Sequence, residues 1–121
     1  MENIRNMNPI KVDKTTIINL EKGKLPPQVL DLEEAVLGAM RMARTVTGRN
    51  TVVLFTGSYH GTFDEVLVRA GRGAKGISAA PGVMAGMFGD VRVLDYGTPE
   101  ALEFIRSNAD DLAAVLVEPV Q

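Results

Sequence analysis

Thr51-Val52-Val53-Leu54-Phe55-Thr56-Gly57-Ser58-Tyr59-His60-Gly61 is the stretch whose reading decides the fold. Thr51 to Thr56 are apolar, β-branched and aromatic, the composition of a strand covered on both faces. Gly57 breaks the run, and a polar aromatic cluster, Ser58-Tyr59-His60-Gly61, follows at its carboxyl end. In open α/β sheets ligands bind in the crevice outside the carboxyl ends of the strands. A phenol and an imidazole set there between glycines offer flat faces to a planar ligand. The plainer alternative is a turn whose Tyr59 and His60 only cover the end of the sheet. No nucleophile–base pair or metal-ligand spacing accompanies the cluster to decide between the two.

Upstream, Asp31 reads as an N-cap, with Glu34 completing an Asp-x-x-Glu capping box. Leu32, Ala35, Val36, Ala39, Met40, Ala43 and Val46 then recur at helical spacing as one apolar stripe. Arg41, Arg44 and Arg49 gather at the far end, where cations complement the helix dipole, and Gly48 stops the helix. The methionines read as core filler. Residues 1–30 read as an N-terminal arm: Ile10–Asp13 and Thr15–Leu20 suit short strands, and Pro26-Pro27 holds extended backbone ahead of the helix.

Downstream, Thr62 to Val68 reads as a short helix. Ala70 to Gly89, rich in glycine, alanine and methionine, reads as a long loop that orders against a partner or ligand. Its glycines match no phosphate-loop spacing. Val91, Val93 and Leu94 make a short strand. Thr98, Pro99 and Glu100 open a second helix, with Leu102, Phe104 and Ile105 inward. Leu112 to Val117 is another buried strand, leading into Glu118-Pro119-Val120-Gln121. Helix, strand, loop, strand, helix, strand is an α/β order that implies a parallel sheet with flanking helices. A sheet of so few strands leaves edges that a complete domain would pair or cover, so residues 31–121 read as part of a larger domain.

Composition narrows the function. The chain has 121 residues, 45% hydrophobic, with 13 basic and 15 acidic side chains, so no cationic excess draws it to nucleic acid or anionic lipid. It contains no cysteine, which excludes disulfides, thiolate catalysis and cysteine-based zinc sites. With a single histidine, a metal site would need clustered carboxylates, and none is evident. The N-terminus lacks the apolar core of a signal peptide and no run reaches bilayer-spanning length, so a soluble cytoplasmic protein is expected.

Three blocks carry a resemblance: Gly38-Ala39-Met40-Arg41-Met42-Ala43-Arg44-Thr45-Val46-Thr47-Gly48-Arg49, then Phe55-Thr56-Gly57-Ser58-Tyr59-His60-Gly61, then Val115-Leu116-Val117-Glu118-Pro119-Val120-Gln121. Together they resemble class III pyridoxal-phosphate-dependent aminotransferases of fold type I, closest in flavour to glutamate-1-semialdehyde aminomutase. The resemblance runs from about Glu34 to Gln121. It implies a fragment of the family's large α/β domain, a mostly parallel many-stranded sheet, and a dimer. It also implies pyridoxal 5′-phosphate as cofactor, and an amine donor and a carbonyl acceptor, the latter in some relatives carrier-bound. Carried over by motif, Tyr59 would stack on the cofactor ring with His60 beside it, and Glu118 would order hydrogen bonds at a strand end.

The family's Schiff-base lysine and pyridinium-pairing aspartate lie on later strands. None of Lys11, Lys14, Lys22, Lys24 or Lys75 stands in a matching motif, so no catalytic residue is expected in this chain. A second departure falls at the phosphate end. Where the family opens its first helix with Gly-Ser-Glu-Ala or Gly-Thr-Glu-Ala, this chain has Leu32-Glu33-Glu34-Ala35. Like charges ~4 Å apart cost about 1 to 4 kcal/mol, so Glu33 is expected to oppose a bound phosphate. Cofactor binding is therefore in doubt, and homology is expected to break near residues 30–33.

Two readings stand. One is an aminotransferase segment that is not catalytic by itself; the other is a truncated α/β fragment acting only by self-association or by binding a homologue. An unrelated small α/β binding domain using the Tyr59–His60 crevice is a weaker third.

Overall fold

Val52 to Phe55 are buried without a gap, and the chain is built around them. The computed structural model describes residues 32–118. The strand β1, Thr51–Phe55, lies at the centre of a parallel three-stranded sheet. On one side it pairs with β4, Val91–Leu94, in the register Val52↔Val91 to Phe55↔Leu94. On the other it pairs with β5, Leu112–Val115, with a register shift between Thr51 and Val52.

The two-residue period of β1 sends its side chains into two cores. Val52 and Leu54 pack with Met40, Val91 and Val93, with Val36 and Phe88 at the margin. Val53 and Phe55 pack with Leu94, Ala101 and Leu112, flanked by Phe104 and Ile105. Met40 belongs to helix α1, Leu32–Thr47, and Ala101 to helix α2, Pro99–Ser107, so each face of the sheet carries a helix.

Both helices end as their sequences direct. Glu33 and Glu34 occupy the first turn of α1 and Arg44 the last. Gly48, at φ 67°, terminates α1 while its N–H donates to the Arg44 carbonyl at 2.9 Å. Thr98 caps α2, its hydroxyl accepting from the Ala101 N–H at 3.2 Å, with Pro99 as the first helical residue. The capping role expected of Asp31, and the arm over residues 1–30, lie outside the described residues.

Three expectations are corrected. The stretch from Ala70 to Gly89 is no structureless loop. It opens with an antiparallel hairpin, β2 Val68–Ala70 against β3 Gly76–Ser78, and its middle pair is Arg69↔Ile77. Gly73 and Ala74, at φ 62° and 64°, turn the chain, and the Gly71 N–H closes the loop onto the Lys75 carbonyl at 2.8 Å. A bridge between Lys75 and Arg92 lays the hairpin along β4. Because Val68 is taken by β2, Thr62–Val68 holds only one 3₁₀ turn, Asp64–Val66. The inward faces of the helices also shift. Val46 is 75% exposed and Ala39 and Leu102 face solvent, whereas Met40 and Ala101 are the residues that seal the cores.

One ion pair fixes α1 to the segment after β1: Arg44 Nη1 meets Glu65 Oε2 at 2.6 Å while Arg44 Nε donates to the Asn50 carbonyl. On the opposite flank Arg49 Nη1 reaches the carbonyls of Ala109 and Leu112, tying the start of β5 to the end of α1. Among the described residues no helix is long and apolar enough to cross a membrane.

Candidate functional site

Because β1 and β5 run parallel and adjacent, the segments leaving their carboxyl ends meet. At the end of β1 the Ser58 N–H and hydroxyl both donate to the Phe55 carbonyl, at 3.1 and 2.6 Å, closing a turn through Gly57 at φ 80°. The next amide, Tyr59 N–H, donates to Glu118 Oε2 at 2.9 Å, just past the end of β5. Tyr59, His60 and Glu118 are thus brought together at the carboxyl ends of neighbouring strands. The end of β4 joins them less directly: the Thr56 hydroxyl donates to Asp95 Oδ1 at 2.8 Å, and Tyr96 sets its ring edge-on to Phe55.

The two aromatic residues differ in environment. Tyr59 is 60% exposed, its ring face open. His60 is 8% exposed, and among the described residues its Nε2 has no hydrogen-bond partner. Burial pushes the imidazole below its usual range, while the Glu118 carboxylate pulls the other way. At neutral pH His60 is therefore a neutral ring carrying one unsatisfied nitrogen.

A fourth residue closes the cluster. Glu33, in the first turn of α1, accepts from the Thr62 N–H at 3.0 Å and from the Thr62 hydroxyl at 2.9 and 3.2 Å. Gly61 sits between them at φ 115°, and a Cβ there would lie 2.7 Å from Glu33 Cγ. Gly61→Ala is expected to cost about 1–3 kcal/mol, from backbone strain together with this clash. The urea midpoint measures it, and an unchanged midpoint would mean that Glu33 does not lie on Gly61. The carboxylate of Glu33 is legible in the sequence as a charge in the wrong place, but not as the partner of Thr62.

Among the described residues no group of His, Asp and Glu could hold a metal ion. The one described lysine, Lys75, lies on the hairpin and bridges to Arg92 of β4. Two open surface grooves lie elsewhere, one along α2 at Pro99, Glu103 and Phe104, the other at the amino ends of the strands near Arg49 and Asp90. The Tyr59–His60–Glu118 cluster is singled out by its chemistry and its place on the sheet, not by depth.

No family model matches the chain. Curated relatives do. The glutamate-1-semialdehyde 2,1-aminomutase of Thermomicrobium roseum is 48% identical over 90 residues, covering 72% of this chain and 21% of that protein. Its namesake from Methanosphaera stadtmanae is 39% identical over 88 residues, with the same coverage of each. Among solved structures, a transaminase with PLP bound superposes with a TM-score of 0.61 at 39% identity, over 74% of this chain and 22% of that one. A glutamate-1-semialdehyde aminomutase from Pseudomonas aeruginosa gives 0.59 at 31%, over 73% and 20%. Over that stretch the chain is similar to a segment of these aminotransferases and aminomutases and shares their fold. It spans about a fifth of the length of the relatives it matches.

The family's cofactor is pyridoxal 5′-phosphate, and the aminotransferase segment fits only half of it. The open ring of Tyr59 and the orphaned Nε2 of His60 suit a planar heteroaromatic ring. The anion end does not fit: at the start of α1, where the resemblance puts the phosphate, the Glu33 carboxylate stands, bonded to Thr62 and packed on Gly61.

Proposed function

We propose that this chain is a large-domain segment of a pyridoxal-phosphate-dependent aminotransferase or aminomutase and does not catalyse amino-group transfer by itself. The meeting of Tyr59, His60 and Glu118 at the carboxyl ends of β1 and β5 carries this reading. In it, Tyr59 offers its face to the cofactor ring, His60 supplies a buried nitrogen beside it, and Glu118 holds the Tyr59 amide in place. The amine donor, the carbonyl acceptor, dimerisation and a cytoplasmic setting belong to the whole family protein and are expected only of a chain that contains the rest of the domain. The reading has a chemical ground: an amine at the site is needed to anchor the cofactor, and the one lysine among the described residues, Lys75, bridges to Arg92 of β4 from the hairpin.

The purified chain, supplied with pyridoxal phosphate, an amino donor and a keto acceptor, is expected to give no product above a protein-free control. Turnover that scales with chain concentration would overturn the proposal.

A second reading, association without catalysis, is favoured by one observation. Among the described residues the outer edge of β5 carries no neighbouring strand, and Val117 beyond it is exposed. A concentration-independent monomer in size-exclusion chromatography would remove it.

A further inference from the structure

We infer that Glu33 acts as an internal occupant of the anion end of this site, so that the chain selects a planar heteroaromatic ring without a phosphate over its phosphate monoester. The inference rests on the cofactor-ring reading of Tyr59 and goes beyond it by assigning which ligands the remaining pocket takes.

Three observations converge. Two donors beside the first turn of α1, Thr62 N–H and Oγ1, are both satisfied by the Glu33 carboxylate, at 3.0 and 2.9 Å. An incoming phosphate must displace a covalently tethered anion to reach them. The Glu33 side chain also packs against Gly61, its Cγ 2.7 Å and its Cβ 3.0 Å from where a Cβ would stand, and so fills the space over that residue. Charge completes the exclusion. Glu33 and Glu34 already compensate the positive end of α1, and Glu118 adds a carboxylate on the other side of Tyr59. Of the arginines toward α1's far end, Arg44 is engaged with Glu65 and Arg49 with backbone carbonyls. The ring end, by contrast, stays exposed at Tyr59, beside a buried His60 whose Nε2 has no partner among the described residues.

Calorimetric titration of the full chain with pyridoxamine and with pyridoxamine 5′-phosphate tests this; neither probe carries an aldehyde that would condense with lysines. The wild-type chain is expected to bind the phosphate ester no more tightly than pyridoxamine. Glu33→Ser frees the Thr62 donors and supplies a hydroxyl, and is expected to tighten the ester about tenfold or more while leaving pyridoxamine nearly unchanged. Glu33→Gln keeps the length, removes the charge, and is expected to fall between; it decides the matter if the serine variant does not fold by circular dichroism. A wild-type chain that prefers the ester, or folded variants that gain nothing, would overturn the inference. Inorganic phosphate separates it from the reading beneath it. A gain for inorganic phosphate in Glu33→Ser with no ring binding by any chain would retain the role of Glu33 and refute the ring site at Tyr59. Ring binding that Tyr59→Ala abolishes, with no gain in either Glu33 variant, would do the reverse.

Discussion

Met40→Ala is expected to lower the unfolding free energy by about 2–5 kcal/mol. Met40 is fully buried where α1 crosses the sheet, against Val52, Leu54, Val91 and Val93. Truncation removes the transfer energy of a long apolar side chain and leaves a cavity between a helix and a central strand, where neither can collapse freely. Small domains are stable by only about 5–15 kcal/mol, so the loss is a large share of the whole. Met42, two residues along the same helix, is the control: it is 47% exposed, and Met42→Ala is expected to stay within about 0.5 kcal/mol. Urea unfolding of the three chains, with matched slopes to establish a common unfolded state, gives the comparison. Equal costs at the two methionines would mean that α1 does not dock on β1 through Met40.

That contrast also marks where sequence pattern runs out. Helical periodicity locates α1 to the residue at its Gly48 end, but a stripe drawn through alanines is ambiguous about its centre. At 3.6 residues per turn Val46 lies about 120° round the helix from Met40, off the buried face, although both belong to the same apolar stripe in the sequence. The same ambiguity places Leu102 inward in α2, where Ala101 is the residue that packs. The strand β1 is plain because an unbroken apolar run suits burial on both faces and little else, and β4 shows through Val91, Val93 and Leu94 around a single arginine. The β2–β3 hairpin is hidden for the opposite reason. Its strands are three residues long, one pairing position is Gly76, and most of its side chains face water, so neither period nor propensity stands out.

The site divides in the same way. The α/β element order implies parallel strands, which sets Tyr59, His60 and Glu118 at carboxyl ends; their roles are legible only through the family resemblance, and the adjacency of β1 and β5 only in the structure. The Glu33–Thr62 contact spans 29 residues and depends on how the first turn of α1 faces the loop after β1. A departure from a family motif can be read from Leu32-Glu33-Glu34-Ala35, but not the bond that Glu33 makes instead.

His60 makes the stability of the chain depend on pH, with a sign fixed by burial. Desolvation lowers its pKa from 6.5, the Glu118 carboxylate opposes this, and burial dominates. The folded pKa therefore lies below the unfolded one, and the unfolded chain takes up the proton first as pH falls. The contribution of His60 is fully present above about pH 6.5, declines as pH drops through the interval between the two pKa values, and levels off beneath the folded one. Carboxylates also titrate in acid, so the readout is a difference: urea-derived stability between pH 7.5 and 5, wild type minus His60→Leu. That difference is expected to fall with decreasing pH, with a slope no steeper than about 1.4 kcal/mol per pH unit, the limit for one proton. At pH 7.5 the leucine variant is expected to be more stable than wild type by on the order of 1 kcal/mol, because it removes a buried nitrogen that has no partner. A difference that instead grows as pH falls would mean that Glu118 holds the proton on His60, putting a buried ion pair in place of a neutral ring. A leucine variant that loses stability at neutral pH would mean that Nε2 is satisfied in solution, by water or by the chain, and is not an orphaned nitrogen.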